Sequence, residues 1–346
     1  MSQHTAQIID DKATRMDGPQ PIVGQINEIP SRQAMGLPNE FVATPADDLS
    51  AAAAVLWGQT QEQLAARAED ASASLTQRLA AGTVLGLLCD PRILTFEPKI
   101  LQVPATCATL GLAYDKVDAV VAKYAHLGVI REWIEKECPQ YSVQLPSFGI
   151  GKYCVTNAEY RDFLQDTGLD ELPTSWEFGV FPTEKSNHPV YTVSAQAADA
   201  YCAWLSGKTG RQFRLPTEQE WECVASNGVQ TEFPWGDTYQ DGLANTAEAG
   251  LYRSTPVGVF PGGCNALGVC DLAGNVEEYT ASDYAPYPYG HRIEDDLLIK
   301  EGRYRIARGG SFTRFSDLAR STRRHGRYNK DIYVMGFRLA ESVARA

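Results

Sequence analysis

Eight cysteines (Cys89, Cys107, Cys138, Cys154, Cys202, Cys223, Cys264 and Cys270) and five histidines (His4, His126, His188, His291 and His325) could hold a transition metal. Their spacing does not organise them. The chain has no CxxC, no histidine pair at i, i+4 and no HxxxHxE, so a metal site would have to be assembled from distant segments. The first residues, MSQHTAQIIDDKATRMDG, carry acids and no apolar stretch of an export signal. Buried, reduced thiols in a cytoplasmic protein are therefore expected, although an even cysteine number would also suit disulfides. The densest chemistry lies between RGGSF (308–312) and GFRL (336–339). There, Thr313–Met335 holds Arg314, Phe315, Arg320, Arg323, Arg324, His325, Arg327, Tyr328, Asn329 and Tyr333. Arginine and tyrosine dominate contact surfaces because they combine area with hydrogen bonding. Arg314, Phe315, Arg320, Arg324, His325, Arg327, Tyr328 and Tyr333 are thus candidate ligand-binding residues on a face spanning 313–335. The alternative is a solvated basic loop. Tyr279, Tyr284, Tyr287 and Tyr289 could wall the same face or simply pack a proline-rich loop.

These residues need a scaffold, and the sequence supplies one in parts. Apolar content of 44% and charged content of 21% suit a globular protein with a proper core. The net charge of −12 argues against nucleic acid or anionic lipid as partner. The longest apolar run, Leu79–Cys89, is too short for a bilayer. Residues 1–48 read as an irregular arm, and 49–96 as a helical extension. In that extension Thr60 and Gln63 form a capping box, and one helix runs from it to Gly82 or Cys89. Lys99–Pro104 and Tyr141–Lys152 alternate like strands, whereas 115–138 is helical in period. Thr156, Ser194 and Thr217 cap three further helices. Beyond Asn227 the chain is loop-rich with short strands. The fold class is α+β.

FRLPTEQEWE (213–222), FPWGD (233–237), TPVGVFPGGCNALGVCDLAGNVEEY (255–279), RIARGGSF (305–312) and GFRL resemble, in order and spacing, the formylglycine-generating-enzyme (FGE-sulfatase) family of the C-type lectin fold. The resemblance implies a lectin-like domain over 97–346. It also implies that the family's copper-binding cysteines correspond to Arg314 and Ala319, neither of which can hold copper. A related branch uses a histidine-bound iron, for which no histidine motif exists here, so neither copper nor iron is expected. A structural calcium is implied at Asn275, Val276 and Glu278, and a second at Asn245 with Thr246. Ala195, Glu277 and Tyr279 stand where tryptophans are common, and roughly 112–137 is an insertion. Arg323 matches a framework arginine, while 313–335 resembles the variable region of retroelement-diversified display proteins. Two readings follow. One is a non-catalytic binding protein that takes a protein or small-molecule ligand. The other is an oxidoreductase or tailoring enzyme with a non-standard site, using His188, His291, His325 or a cysteine.

Overall fold

The computed structural model describes residues 18–45 and 49–343. Among its described residues the arm contains one short helix, α1 (Ser31–Ala34). Three helices follow: α2 (Ser50–Leu56), α3 (Gln61–Ala68) and α4 (Leu75–Leu88). The Thr60–Gln63 capping box forms as the sequence predicts, but the single long helix does not. Asp70 Oδ1 accepts from the backbone N–H and hydroxyl of Ser72, a local turn that competes with helix. Ser74 and Gln77 then open α4 with a second capping box. Leu64, Ala68, Leu79, Val84 and Leu85 bury one face of this extension against Leu251, Val259 and Phe260. Gly82 permits the approach, because a Cβ there would lie 2.7 Å from Pro256. The carbonyls of Gly82 and Gly86 accept from Asn187 and Ser186.

The body is built on β1 (Ile100–Val103), β4 (Phe148–Cys154), β5 (Phe213–Arg214), β6 (Glu277–Asp283), β7 (Arg305–Arg308) and β8 (Met335–Ser342). They form one sheet in the order β1-β4-β8-β6-β7, with β5 also pairing with β8. All pairs are antiparallel except β6 with β8, where Glu277, Glu278 and Tyr279 face Met335, Gly336 and Phe337. A separate hairpin-like pair joins β2 (Thr106–Leu110) and β3 (Tyr141–Leu145). Between them lies the insertion, which carries α5 (Val117–Tyr124) and α6 (Arg131–Glu135) and breaks at Gly128, a left-handed residue with φ 75°. The remaining helices are α7 (Asn157–Thr167), α8 (Ala195–Thr209), α9 (Glu218–Ala225) and α10 (Asp296–Glu301). Thr156, Ser194 and Thr217 cap α7, α8 and α9 as their sequence signatures predict. Tyr160 and Phe163 of α7, Tyr201 of α8 and Phe337 of β8 form an aromatic core under the sheet. Among the described residues, no helix is long and apolar enough to cross a membrane.

The cap of α7 has a pH consequence. Glu159 closes the box by accepting from the Thr156 N–H and hydroxyl, both at 2.7 Å. Burial outweighs these bonds and pushes its carboxyl up to about 7. The unfolded chain ionises this group near 4.5, whereas the fold holds its proton longer. Its contribution is therefore complete below pH 4.5 and lost as pH rises towards about 7. Glu159→Gln is expected to flatten the stability profile across that window, as chemical denaturation at stepped pH would show. An unchanged slope would reject the assignment.

Candidate functional site

The segment after β7 is aimed by two glycines. Gly309 and Gly310 have φ of 95° and 66°, and a Cβ on Gly310 would lie 2.9 Å from the Ala319 nitrogen. The chain can thus fold back on itself before Ala307 and His325 exchange backbone hydrogen bonds of 2.8 and 3.2 Å. It then returns through Ile332–Val334 into β8, so both ends of 313–335 are fixed by the central strands.

Most of the predicted contact residues point inward, which corrects the expectation of a displayed face. Arg314, Phe315, Arg320, Arg324 and Tyr333 are all at most 3% exposed. A guanidinium is buried only with partners to offset its desolvation, and the structure supplies them. Arg320 forks onto Glu137 at 3.0 and 2.9 Å, and the same carboxylate accepts from the Thr322 hydroxyl at 2.6 Å. Arg324 forks onto Glu218 at 2.8 and 2.7 Å and donates to the carbonyls of Lys136 and Ala285. Its guanidinium lies 4.0 Å from the Tyr287 ring centre. Burial alone would raise the Glu218 carboxyl, but Arg324 and Arg308 hold it below its ordinary value. Arg323 donates to the Trp133 carbonyl and lies over the Trp133 ring, in keeping with its framework assignment. Phe315 packs with Ile22, Leu127 and Ala247. Of the predicted set only Arg327 is exposed, with Tyr328 and His325 half-buried.

Two elements outside 313–335 perform this burial. The insertion contributes Trp133, Lys136 and Glu137, so it covers the face. The arm contributes Ile26, which packs with Ile332 and Tyr333, and Gly36, which lies against Phe315. Lys330 Nζ donates to the carbonyls of Ile26 and Ile29, and Tyr333 donates to the Asn27 side chain.

At the position matched to the first family cysteine, Arg314 lies 5.1 Å from the centre of the Tyr333 ring. His325 stacks on the other partner of that cluster, with its ring centre 5.1 Å from that of Tyr333, and its Nδ1 lies 3.1 Å from Glu277 Oε2. Burial, then Arg314 and Arg323, pushes His325 well below its ordinary value, so the imidazole is neutral at pH 7. Burial pushes Glu277 up to about 7 against the opposing pull of the same two arginines. Glu277 Oε1, Arg314 Nη1 and Arg323 Nε are buried without a hydrogen-bond partner among the described residues, although Arg323 Nε lies 3.9 Å from Asp317 Oδ2. Two guanidinium groups around this point repel a cuprous or ferrous ion. At the second position Ala319 is enclosed by Phe233, Ala244 and Ala273, an apolar setting. These residues do not fit a family copper centre.

The side chains of the calcium set are engaged within the protein itself. Glu278 is fully buried and spent on Arg338 and on Trp221 Nε1, the latter at 2.8 Å. Asn275 Oδ1 accepts from the Thr255 N–H at 3.0 Å and from Asn245 Nδ2 at 3.3 Å, which makes it a loop-fastening group. Val276 is buried beneath Gly336. Asn245 Oδ1 alone has no partner. A hard cation wants six or more oxygens including carboxylates, and among the described residues no three His, Cys, Asp or Glu side chains converge. His188 sits in a turn with Nδ1 2.9 Å from the Ser254 hydroxyl, while His126 and His291 are exposed; His4 lies outside the described residues. Cys264 and Cys270 form a disulfide, against the expectation of reduced thiols throughout. The turn at Gly262–Gly263 and the Asn265 side chain, which accepts from Leu267 and Val269, close that loop.

Sequence reasoning missed Glu137 and Glu218 as partners of the arginines. The excess of acids in TEQEWE and in the insertion was the available signal.

Residues 116–343 match the family described as the sulfatase-modifying factor enzyme 1-like domain. The hercynine oxygenase of Mycolicibacterium smegmatis is 31% identical over 215 residues, covering 52% of this chain and 49% of that protein. The chain spans about half the length of the hercynine oxygenases it matches. The inactive C-alpha-formylglycine-generating enzyme 2 of Bos taurus is 35% identical over 266 residues, covering 60% of this chain and 82% of that protein. Among solved structures, PvdO from Pseudomonas aeruginosa superimposes with a TM-score of 0.55 at 27% identity, covering 72% of this chain and 96% of PvdO. The variable protein 1 of Treponema denticola superimposes with a TM-score of 0.51 at 19% identity, covering 70% and 94%, a likeness of fold.

Proposed function

The chain belongs to the sulfatase-modifying factor enzyme 1-like family, and from that premise we propose that it is a non-catalytic member which binds a protein or small-molecule ligand. One observation carries this reading. The position of the first family cysteine holds a buried guanidinium, Arg314, set against Tyr333 and beside Glu277 rather than open to a substrate. A relative whose name declares it inactive, matched over most of its length, supports the same direction. The ligand meets the outer rim of the 313–335 segment, where Arg327 and Asn329 are exposed and Tyr328 is half-buried. The covered interior keeps that rim in place.

Metal content tests the reading directly. Full-length protein purified anaerobically and incubated with cuprous or ferrous ion, then desalted, is expected to retain far less than one equivalent of either. Stoichiometric retention of copper or iron would overturn the non-catalytic reading in favour of a redox enzyme with an unfamiliar ligand set.

A further inference from the structure

A cavity of about 170 Å³ opens between the start of α8, the start of β7 and the rim of the 313–335 segment. Ala195, the first residue of α8, lines it where its methyl group leaves room for a ligand, and Tyr279 of β6 forms a wall that is 97% buried by its 3% exposure. Three arginines from two segments surround the opening: Arg303, Arg305 and Arg327. They are not equivalent. Arg305 is committed to Asp199 at 2.9 Å and to the Thr280 carbonyl at 3.1 Å, so it supplies charge rather than free donors. Arg303 uses Nε and Nη2 on Asp283 and keeps Nη1 available. Arg327 is exposed and has no carboxylate within 4.0 Å among the described residues. Tyr279 brings a phenol hydroxyl to the same lining. Ser194 caps α8 by accepting from Ala197, and the N–H groups of Ala195 and Gln196 have no partner within the helix. Glu301 is the single carboxylate in the lining.

Two guanidinium groups with free donors, a phenol and the first turn of α8 therefore line one small space. We propose that this cavity is a binding site for a small oxyanion, a carboxylate or a phosphate. An oxyanion accepts from forked guanidinium donors and from amides at once, whereas a cation or an apolar group would leave them unpaired. The site rests on the binding reading above and gives that reading a ligand class.

Calorimetric titration of the full-length protein with inorganic phosphate and, separately, with citrate, at constant ionic strength and with chloride as control, tests the site. At least one oxyanion is expected to bind saturably at one equivalent, and the better of the two identifies the class. Arg327→Gln is expected to weaken that binding about tenfold or more, the size of one charge-assisted hydrogen bond. Ala195→Trp is expected to abolish it by filling the cavity, with the melting temperature of both variants used to verify folding. Absence of saturable binding by either oxyanion would overturn the site, as would binding that both folded variants retain. Neither result bears on metal content, so failure here leaves the non-catalytic reading standing, and retained copper or iron would sink that reading without touching the oxyanion titration.

Discussion

Glu278→Gln is expected to cost about 3–5 kcal/mol of folding stability, the penalty for leaving one partner of a buried ion pair uncompensated. Both Glu278 and Arg338 are completely buried. The guanidinium reaches Glu278 Oε1 at 2.6 Å and also donates to the carbonyls of Gly151 and Cys270, each at 3.0 Å. The pair thereby fastens β4, β6, β8 and the disulfide loop to one point. An amide at position 278 keeps the shape and removes the charge, which isolates the electrostatic part. Denaturant titration reads the effect as a lowered midpoint with an unchanged slope. Adding Arg338→Met to Glu278→Gln is expected to recover part of the loss, because it removes the buried guanidinium left without its carboxylate. The wild type should show no change in midpoint with a chelator. A chelator-sensitive midpoint restored by calcium would instead return Glu278 or its loop to a cation-binding role.

The second large effect separates framework from rim within 313–335. Arg320→Ala leaves Glu137, which is 0% exposed, as a buried carboxylate without its guanidinium, whereas Arg324→Ala leaves Glu218 with Arg308 as its remaining guanidinium. Arg320→Ala is expected to destabilise by about 3–5 kcal/mol, and Arg324→Ala by less but measurably. Arg327→Ala, at an exposed position, is expected to stay within about 0.5 kcal/mol of wild type. Thermal or denaturant melts of the three single variants suffice. If Arg320→Ala and Arg324→Ala melt like wild type, these arginines serve a surface after all and the covered description fails.

The framework was legible because it depends on short-range signals. Thr156, Ser194 and Thr217 announce helices through capping chemistry acting within three residues. The split of the α3–α4 region was less legible, since the Asp70–Ser72 turn competes locally with a helical period that continues through it. The metal reading followed residue type: Arg314 cannot ligate copper wherever it points. Glu278, by contrast, is a plausible oxygen ligand by type, and only its engagement with Arg338, 60 residues away, removes it.

Burial was the quantity that residue type misjudged. Arg320 and Arg324 read as surface residues because charged side chains usually are. Their partners, Glu137 and Glu218, lie 183 and 106 residues earlier. No local pattern encodes such pairs, since the energy that justifies burying a charge comes entirely from a group the chain brings in from elsewhere. The sequence by itself determined the family framework, the caps and turns, and the loss of both cysteine ligands, because these rest on local geometry and the chemistry of single side chains. Tertiary structure alone decided that the arm and the insertion cover the arginine-rich segment and leave a small rim beside a cavity, because exposure and charge pairing are properties of what packs against a residue.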